Sequence, residues 1–270
     1  MIGVWSGGIL DDMLKTETEK PFDVLAPAGV FVAVAFVTSG VLGAAQAVTP
    51  IPGEVIQLTQ FGPALAVGAV ALLWPRLARP ALAGAGGRAG KLDGYGLLLL
   101  ATAPLIVALC AGGYGLLTGD AQFTGPETLS SPFALIVVAQ LIGACAEEIG
   151  WRCLLQPLLR RRFGPLAVPI VVGLLWGLWH VPMFGRPPAY AAAFLVATVS
   201  ISVVMGLALE RVRSHRLLLT GGFHTLINLG LLLFMDEESG AVVPMALFGA
   251  SCLLAALLWA WKAPVRIHLR

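Results

Sequence analysis

The stretch Ala134-Leu-Ile-Val-Val-Ala-Gln-Leu-Ile-Gly-Ala-Cys-Ala-Glu147-Glu148-Ile-Gly-Trp-Arg152-Cys-Leu-Leu-Gln-Pro157 sets two adjacent carboxylates inside an apolar run. Its surroundings make that run a membrane segment. The 270 residues are 58% hydrophobic and 12% charged, and the mean hydropathy is +0.87. That composition excludes an ordinary soluble domain. A charge near the bilayer centre costs at least ~2.5 kcal/mol even on the mildest scale. Both glutamates therefore need partners at their own depth.

A helix crosses ~30 Å of hydrocarbon with about 20 apolar residues. Eight segments qualify: 28–49, 55–74, 94–118, 133–159, 165–184, 189–209, 217–235 and 241–261. The second is the weakest, interrupted by Gln57, Gln60 and Pro63. The expected fold is all-α, a polytopic membrane protein of about eight transmembrane helices around a polar intramembrane cavity. Residues 1–27 read as a cytoplasmic N-terminal segment. Residues 28–270 read as a single membrane domain with its catalytic core at about 130–235. The first 27 residues carry five acids and two lysines and lack the apolar core of a cleavable signal peptide. Cys110, Cys145, Cys153 and Cys252 all fall inside apolar segments, where they read as small apolar side chains rather than a disulfide framework.

The basic residues give an orientation. Lys15 and Lys20 precede the first segment. Arg76, Arg79, Arg88 and Lys91 lie between the second and third, and Arg160, Arg161 and Arg162 follow the fourth. Arg211, Arg213 and Arg216 follow the sixth; Lys262, Arg266 and Arg270 follow the eighth. With eight crossings, all of these fall on one face. Arg186 alone is opposite, together with Glu54, Asp120, Glu127 and Asp236-Glu237-Glu238. The positive-inside rule then places both termini in the cytoplasm, and the high Ala, Gly, Leu and Arg content points to a bacterial cytoplasmic membrane. The net charge of +2 gives no reason to expect a nucleic-acid partner. Trp74, Trp259 and Trp261 lie near segment ends, where interfacial anchors belong. Residues 80–90 read as a flexible cytoplasmic loop.

Three polar sets break the apolar segments of the second half. In the first, Glu148 and Arg152 are four apart and share a helix face. Glu147 points about 100° away, towards a cavity. In the second, Trp176 and His180 stand one turn apart. In the third, His224 and Asn228 do the same, just after Gly221 and Gly222, which permit a close or irregular backbone. His215 and His268 sit in basic segments outside this set. A carboxylate beside a neutral imidazole can take a proton from water. A second imidazole and an amide are donors suited to a developing oxyanion. The set reads as water activation and oxyanion stabilisation, that is, hydrolysis of an acyl bond, with no cofactor and no metal required.

Glu-Glu-x-x-x-Arg, aromatic-x-x-x-His and His-x-x-x-Asn, in this order over roughly residues 130–235, resemble the CPBP (CAAX protease and bacteriocin-processing, or Abi) family. These are intramembrane glutamate endopeptidases similar to the type II CAAX prenyl proteases. The resemblance implies that Glu147 activates water with help from His180. It implies that His224 and Asn228 form an oxyanion hole, and that Glu148 and Arg152 hold the geometry. The family's second motif usually begins with Phe, and Trp176 is expected to pack as another ring there. The implied partners are membrane lipid and a prenylated or membrane-associated peptide substrate. Two alternatives stand beside this reading. One is a non-proteolytic immunity or regulatory module, or another acid–base enzyme using the same cavity. The other is a zinc-dependent membrane hydrolase.

Depth poses a problem for straight helices. Counted at ~1.5 Å per residue from the basic end, Glu147 lies about 20 Å in, His180 about 25 Å and His224 about 10 Å. The three meet only if the seventh segment starts inside the bundle, at Gly221-Gly222, or the fifth starts late, after Pro165.

Overall fold

In a computed structural model, residues 24–86, 94–120, 122–212, 214–235 and 240–262 are described. Lys15, Lys20, Arg88, Lys91, Arg213, Arg266, His268, Arg270 and the acidic run 236–238 lie outside them, as do most of segment 1–27 and part of loop 80–90.

The described residues form helices and connecting turns. Helix α1 is Leu25–Gln46. A 3₁₀ turn, Leu58–Phe61, leads into α2, Gly62–Leu73. Short α3 is Pro75–Leu82, and α4 is Gly94–Thr118. The glutamate helix, α5, runs Phe133–Leu159. Then come α6 (Ala167–Trp179), α7 (Pro188–Leu209), α8 (Arg216–Phe234) and α9 (Val242–Lys262). Among the described residues, six helices are long and apolar enough to cross a membrane: α1, α4, α5, α7, α8 and α9. The chain is an integral membrane protein of all-α, polytopic fold. The expected second and fifth crossings are shorter, Leu58–Leu73 and Ala167–Trp179.

Local chemistry explains both irregular helices. α6 stops because Pro182 cannot donate to the ladder and restricts the residue before it. His180 is already off-helix at φ −77°, ψ 59°. Within α5, Trp151–Leu155 forms a π turn. Pro157 follows it and has no N–H for the carbonyl four residues back, so the preceding turn widens to absorb the mismatch.

Short α6 brings His180 to the depth of Glu147 by the second of the two expected routes. It starts after Pro165, and its 13 residues rise about 20 Å. Glu147 stands about 18 Å above Leu159 on α5, so the end of α6 arrives at the level of the glutamates. The first route is not taken: α8 is continuous through Gly221 and Gly222. Gly221 instead serves close approach, since a Cβ there would stand 2.5 Å from Cys145 Sγ on α5. Gly150 does the same on the other side of α5, where a Cβ would meet Pro63 at 2.7 Å and Phe31 at 2.9 Å.

The tryptophans divide differently from the sequence expectation. Trp261 is exposed, but Trp259 is buried and donates its N–H to Thr102 Oγ1 at 3.2 Å. It ties α9 to α4 rather than anchoring at an interface. Trp151 is fully buried, with its ring 5.2 Å from that of Phe31 and 6.1 Å from that of Trp179. The four cysteines are free thiols on α4, α5 and α9.

Candidate active site

Glu147 and Glu148 are 2% and 0% exposed, and their environments differ. Glu148 turns into the packed side of α5. Its Oε2 lies 3.2 Å from Arg152 Nε, and both side chains are fully buried. The pair is not aligned as a hydrogen bond, so it is an ion pair in the geometric sense. The Arg152 guanidinium also sits over the Trp176 ring, 5.1 Å from its centroid. The other oxygen, Glu148 Oε1, lies 3.0 Å from His224 Nδ1. Spacing foresaw the Glu148–Arg152 pair. It did not foresee the link to His224, because nothing in a sequence states which face of a distant helix meets α5.

Glu147 faces a cavity of about 570 Å³, whose wall also includes His180, His224 and Asn228. Its oxygens are each held by a donor. Trp176 Nε1–H donates to Oε2 at 2.8 Å, and Gln60 Nε2–H donates to Oε1 at 3.1 Å. Two donated bonds fix the carboxylate's rotamer and leave further lone pairs for the cavity. Trp176 thus packs as a ring should, 5.2 Å from His224 and 5.6 Å from His180. It also makes a hydrogen bond that a phenylalanine could not.

His180 caps α6, and its Nδ1 is 2.8 Å from the Trp176 carbonyl oxygen. A carbonyl only accepts, so Nδ1 carries the proton and Nε2 is the free lone pair of a neutral ring. By the same logic the Glu148 carboxylate holds His224 through Nδ1–H. His224 donates through Nε2 as well only as the imidazolium, a cation whose counter-charge Glu148 supplies directly. Asn228 Nδ2–H donates to Gln140 Oε1 at 3.0 Å, leaving its second amide hydrogen free to serve the cavity.

The structure thus gathers all seven residues singled out in the sequence. Glu147, Trp176, His180, His224 and Asn228 line the cavity; Glu148 and Arg152 stand behind them. Two glutamines complete the arrangement and were missed. Gln60 had registered only as an interruption of an apolar segment. It reaches Glu147 through a notch at Gly143, where a Cβ would stand 2.2 Å from Gln60 Oε1. Gln140 carries a signal that could have been used: it lies two helical turns before Glu147 on the same face of α5. The segment bearing Gln60 is pinned to the end of α6. Trp179 Nε1–H donates to Ser39 Oγ at 3.0 Å, and Ser39 Oγ–H donates to the Thr59 carbonyl at 2.8 Å.

Trp176→Phe keeps an aromatic ring and removes one hydrogen bond to a carboxylate. Such a bond is worth about 1.5–3 kcal/mol. For a Glu147 that acts as the base expected from the sequence, the expected result is a fall in kcat of roughly 10–100-fold, with Tm and KM little changed. An equal loss in a variant that keeps the indole N–H would contradict this role.

Residues 129–230 match the family described as Type II CAAX prenyl endopeptidase Rce1-like. Over 143 residues the chain is 26% identical to CAAX prenyl protease 2 of Methanococcus maripaludis, covering 49% of this chain and 52% of that protein. Over 164 residues it is 26% identical to Lysostaphin resistance protein A of Staphylococcus aureus, covering 60% of this chain and 38% of that protein. The chain therefore spans about half, or less, of the length of these curated relatives.

Proposed function

We propose, from the match of residues 129–230 to the Type II CAAX prenyl endopeptidase Rce1-like family, that the chain is an intramembrane endopeptidase whose Glu147 activates water. Glu147 takes a proton from water as the hydroxide oxygen attacks the scissile carbonyl, and His180 Nε2 orients that water. His224 Nε2–H and Asn228 Nδ2–H stabilise the oxyanion. Glu147 then returns its proton to the leaving amine. Glu148 and Arg152 hold His224 and the α5 turn in place. The observation that carries this reading is the convergence of Glu147, His180, His224 and Asn228 on one cavity inside an apolar bundle. Intramembrane ionisable groups are functional by default.

The substrate class that fits is a membrane-associated peptide, prenylated or not. The cavity wall combines these polar groups with Phe194, Ile201, Ile227 and Leu231, so it suits an apolar chain with one polar bond to be cut. A non-proteolytic immunity or regulatory role is the second reading, favoured by the relative whose name concerns lysostaphin resistance. For the zinc alternative, no group of three His, Cys, Asp or Glu side chains disposed to hold a metal occurs among the described residues.

The test is turnover by the purified full chain in liposomes, offered matched prenylated and unprenylated peptides, with products read by mass spectrometry. Cleavage of either at one bond supports the endopeptidase. A cellular phenotype that persists in an inactive variant supports the regulatory module.

A further inference from the structure

We infer that the cavity is fed from the face of the membrane opposite the basic loops, so that its substrates are peptide chains exposed outside the cytoplasm. The chemistry rests on the endopeptidase reading; the direction of access rests on geometry and charge alone.

Contacts define two ends of the bundle. At one end, Arg160 pairs with Glu210 at 2.6 Å, joining the end of α5 to the end of α7. Arg211 reaches Tyr95 at the start of α4 and the Lys262 carbonyl at the end of α9. Arg216 reaches the Leu209 carbonyl and packs beside Gly84. At the other end, Ser130 is hydrogen-bonded to Glu54, Gln140 Nε2–H donates to the Glu54 carbonyl at 3.2 Å, and Thr124 N–H donates to the Leu233 carbonyl at 2.8 Å. These join loops 47–57 and 119–132 to the end of α8.

Every loop residue on the cavity wall belongs to the second end: Gly53, Glu54, Thr124, Thr128 and Arg186 among them. The loops of the first end contribute none. Between Glu147 and that first end, α5 is plugged by Trp151, Leu154, Leu155 and Leu158, all no more than 1% exposed. Water and substrate therefore reach Glu147 from the second end.

The charges decide which compartment that is. Of the Lys and Arg among the described residues, Arg76, Arg79, Arg160, Arg161, Arg162, Arg211, Arg216 and Lys262 belong to the plugged end. Arg152 is internal, and Arg186 alone is at the open end. Retention of Lys and Arg on the cytoplasmic side puts the plugged end in the cytoplasm and the mouth outside. The substrate is then a segment that has crossed the membrane, or is presented from the outer leaflet. A cytosolic tail would find the site closed.

The test uses the full chain with single introduced cysteines in intact cells. Three native cysteines are buried and Cys145 is half-buried, so the unsubstituted chain is the blank. Thr128→Cys at the mouth and Arg161→Cys at the plugged end both replace exposed residues. A membrane-impermeant maleimide should label the Thr128→Cys variant without permeabilisation, and the Arg161→Cys variant only after it. The reverse pattern overturns the inference. Glu127→Cys, also exposed, substitutes if the Thr128 variant fails to accumulate. A second arm adds the peptide outside or inside right-side-out vesicles. Turnover should occur only from outside, and turnover only from inside also overturns the inference. Absence of turnover from both sides, with the expected labelling, counts against the endopeptidase reading and leaves the direction of access standing.

Discussion

Glu147→Gln is expected to abolish turnover while leaving a folded, membrane-inserted protein. The substitution is nearly isosteric. The amide oxygen can still accept from Trp176 or Gln60, so the α5–α6 seam keeps most of its contacts. What disappears is the base. General acid–base catalysis contributes on the order of 10²–10⁴-fold, and in the proposed mechanism Glu147 serves both the attack of water and the protonation of the leaving amine. The expected fall in kcat lies at the upper end of that range, with the same elution profile and Tm as wild type. A variant that retains more than about a tenth of wild-type activity would contradict the role, since that loss is no larger than one missing hydrogen bond.

Arg152→Met is expected to act on folding first. The guanidinium and the Glu148 carboxylate are both fully buried. Breaking such a pair by removing one partner costs about 3–5 kcal/mol, because the remaining charge is left uncompensated. The variant should lose several degrees of Tm in detergent and accumulate poorly. A double variant, Arg152→Met with Glu148→Gln, removes both charges and should recover most of that stability, since an apolar or neutral replacement of a buried pair is often neutral. Its activity should stay low, because His224 keeps only a neutral partner at Nδ1. Recovery of activity along with stability would mean that Glu148 has no part in setting His224. An unchanged Tm in the single variant would mean that the pair contributes nothing to the fold.

The contrast between these variants follows the split between the two glutamates, and spacing alone revealed that split. Residues four apart on one helix meet and adjacent ones diverge, whatever the rest of the fold does. The same rule placed His180 with Trp176, and His224 with Asn228. Hydropathy placed the long helices to within a few residues, because a bilayer demands a length that composition reports directly.

What failed to show was long-range. Gln60 sits 87 positions from Glu147, and its reach depends on a notch at Gly143. Trp176 was read as a packing ring because its N–H has no partner until α6 is set against α5. The fifth apolar segment looked long enough to cross, since hydropathy counts Val181-Pro182-Met183-Phe184 as apolar. Backbone chemistry at Pro182 ends the helix instead, and leaves His180 as the cap of α6 at the depth of Glu147. Trp259 was misplaced for a related reason. Position near a helix end suggests an interface, yet the buried Thr102 hydroxyl across the bundle draws the indole inward.

The most direct measurement of the central claim is a single-turnover reaction of the purified full chain in liposomes, run in ¹⁸O-labelled water with excess chelator. Water activated by Glu147 places ¹⁸O in the new carboxyl terminus at the wild-type rate despite the chelator, and the Glu147→Gln variant gives no labelled product. Loss of turnover on chelation, or equal labelling by the Glu147→Gln variant, would contradict the account.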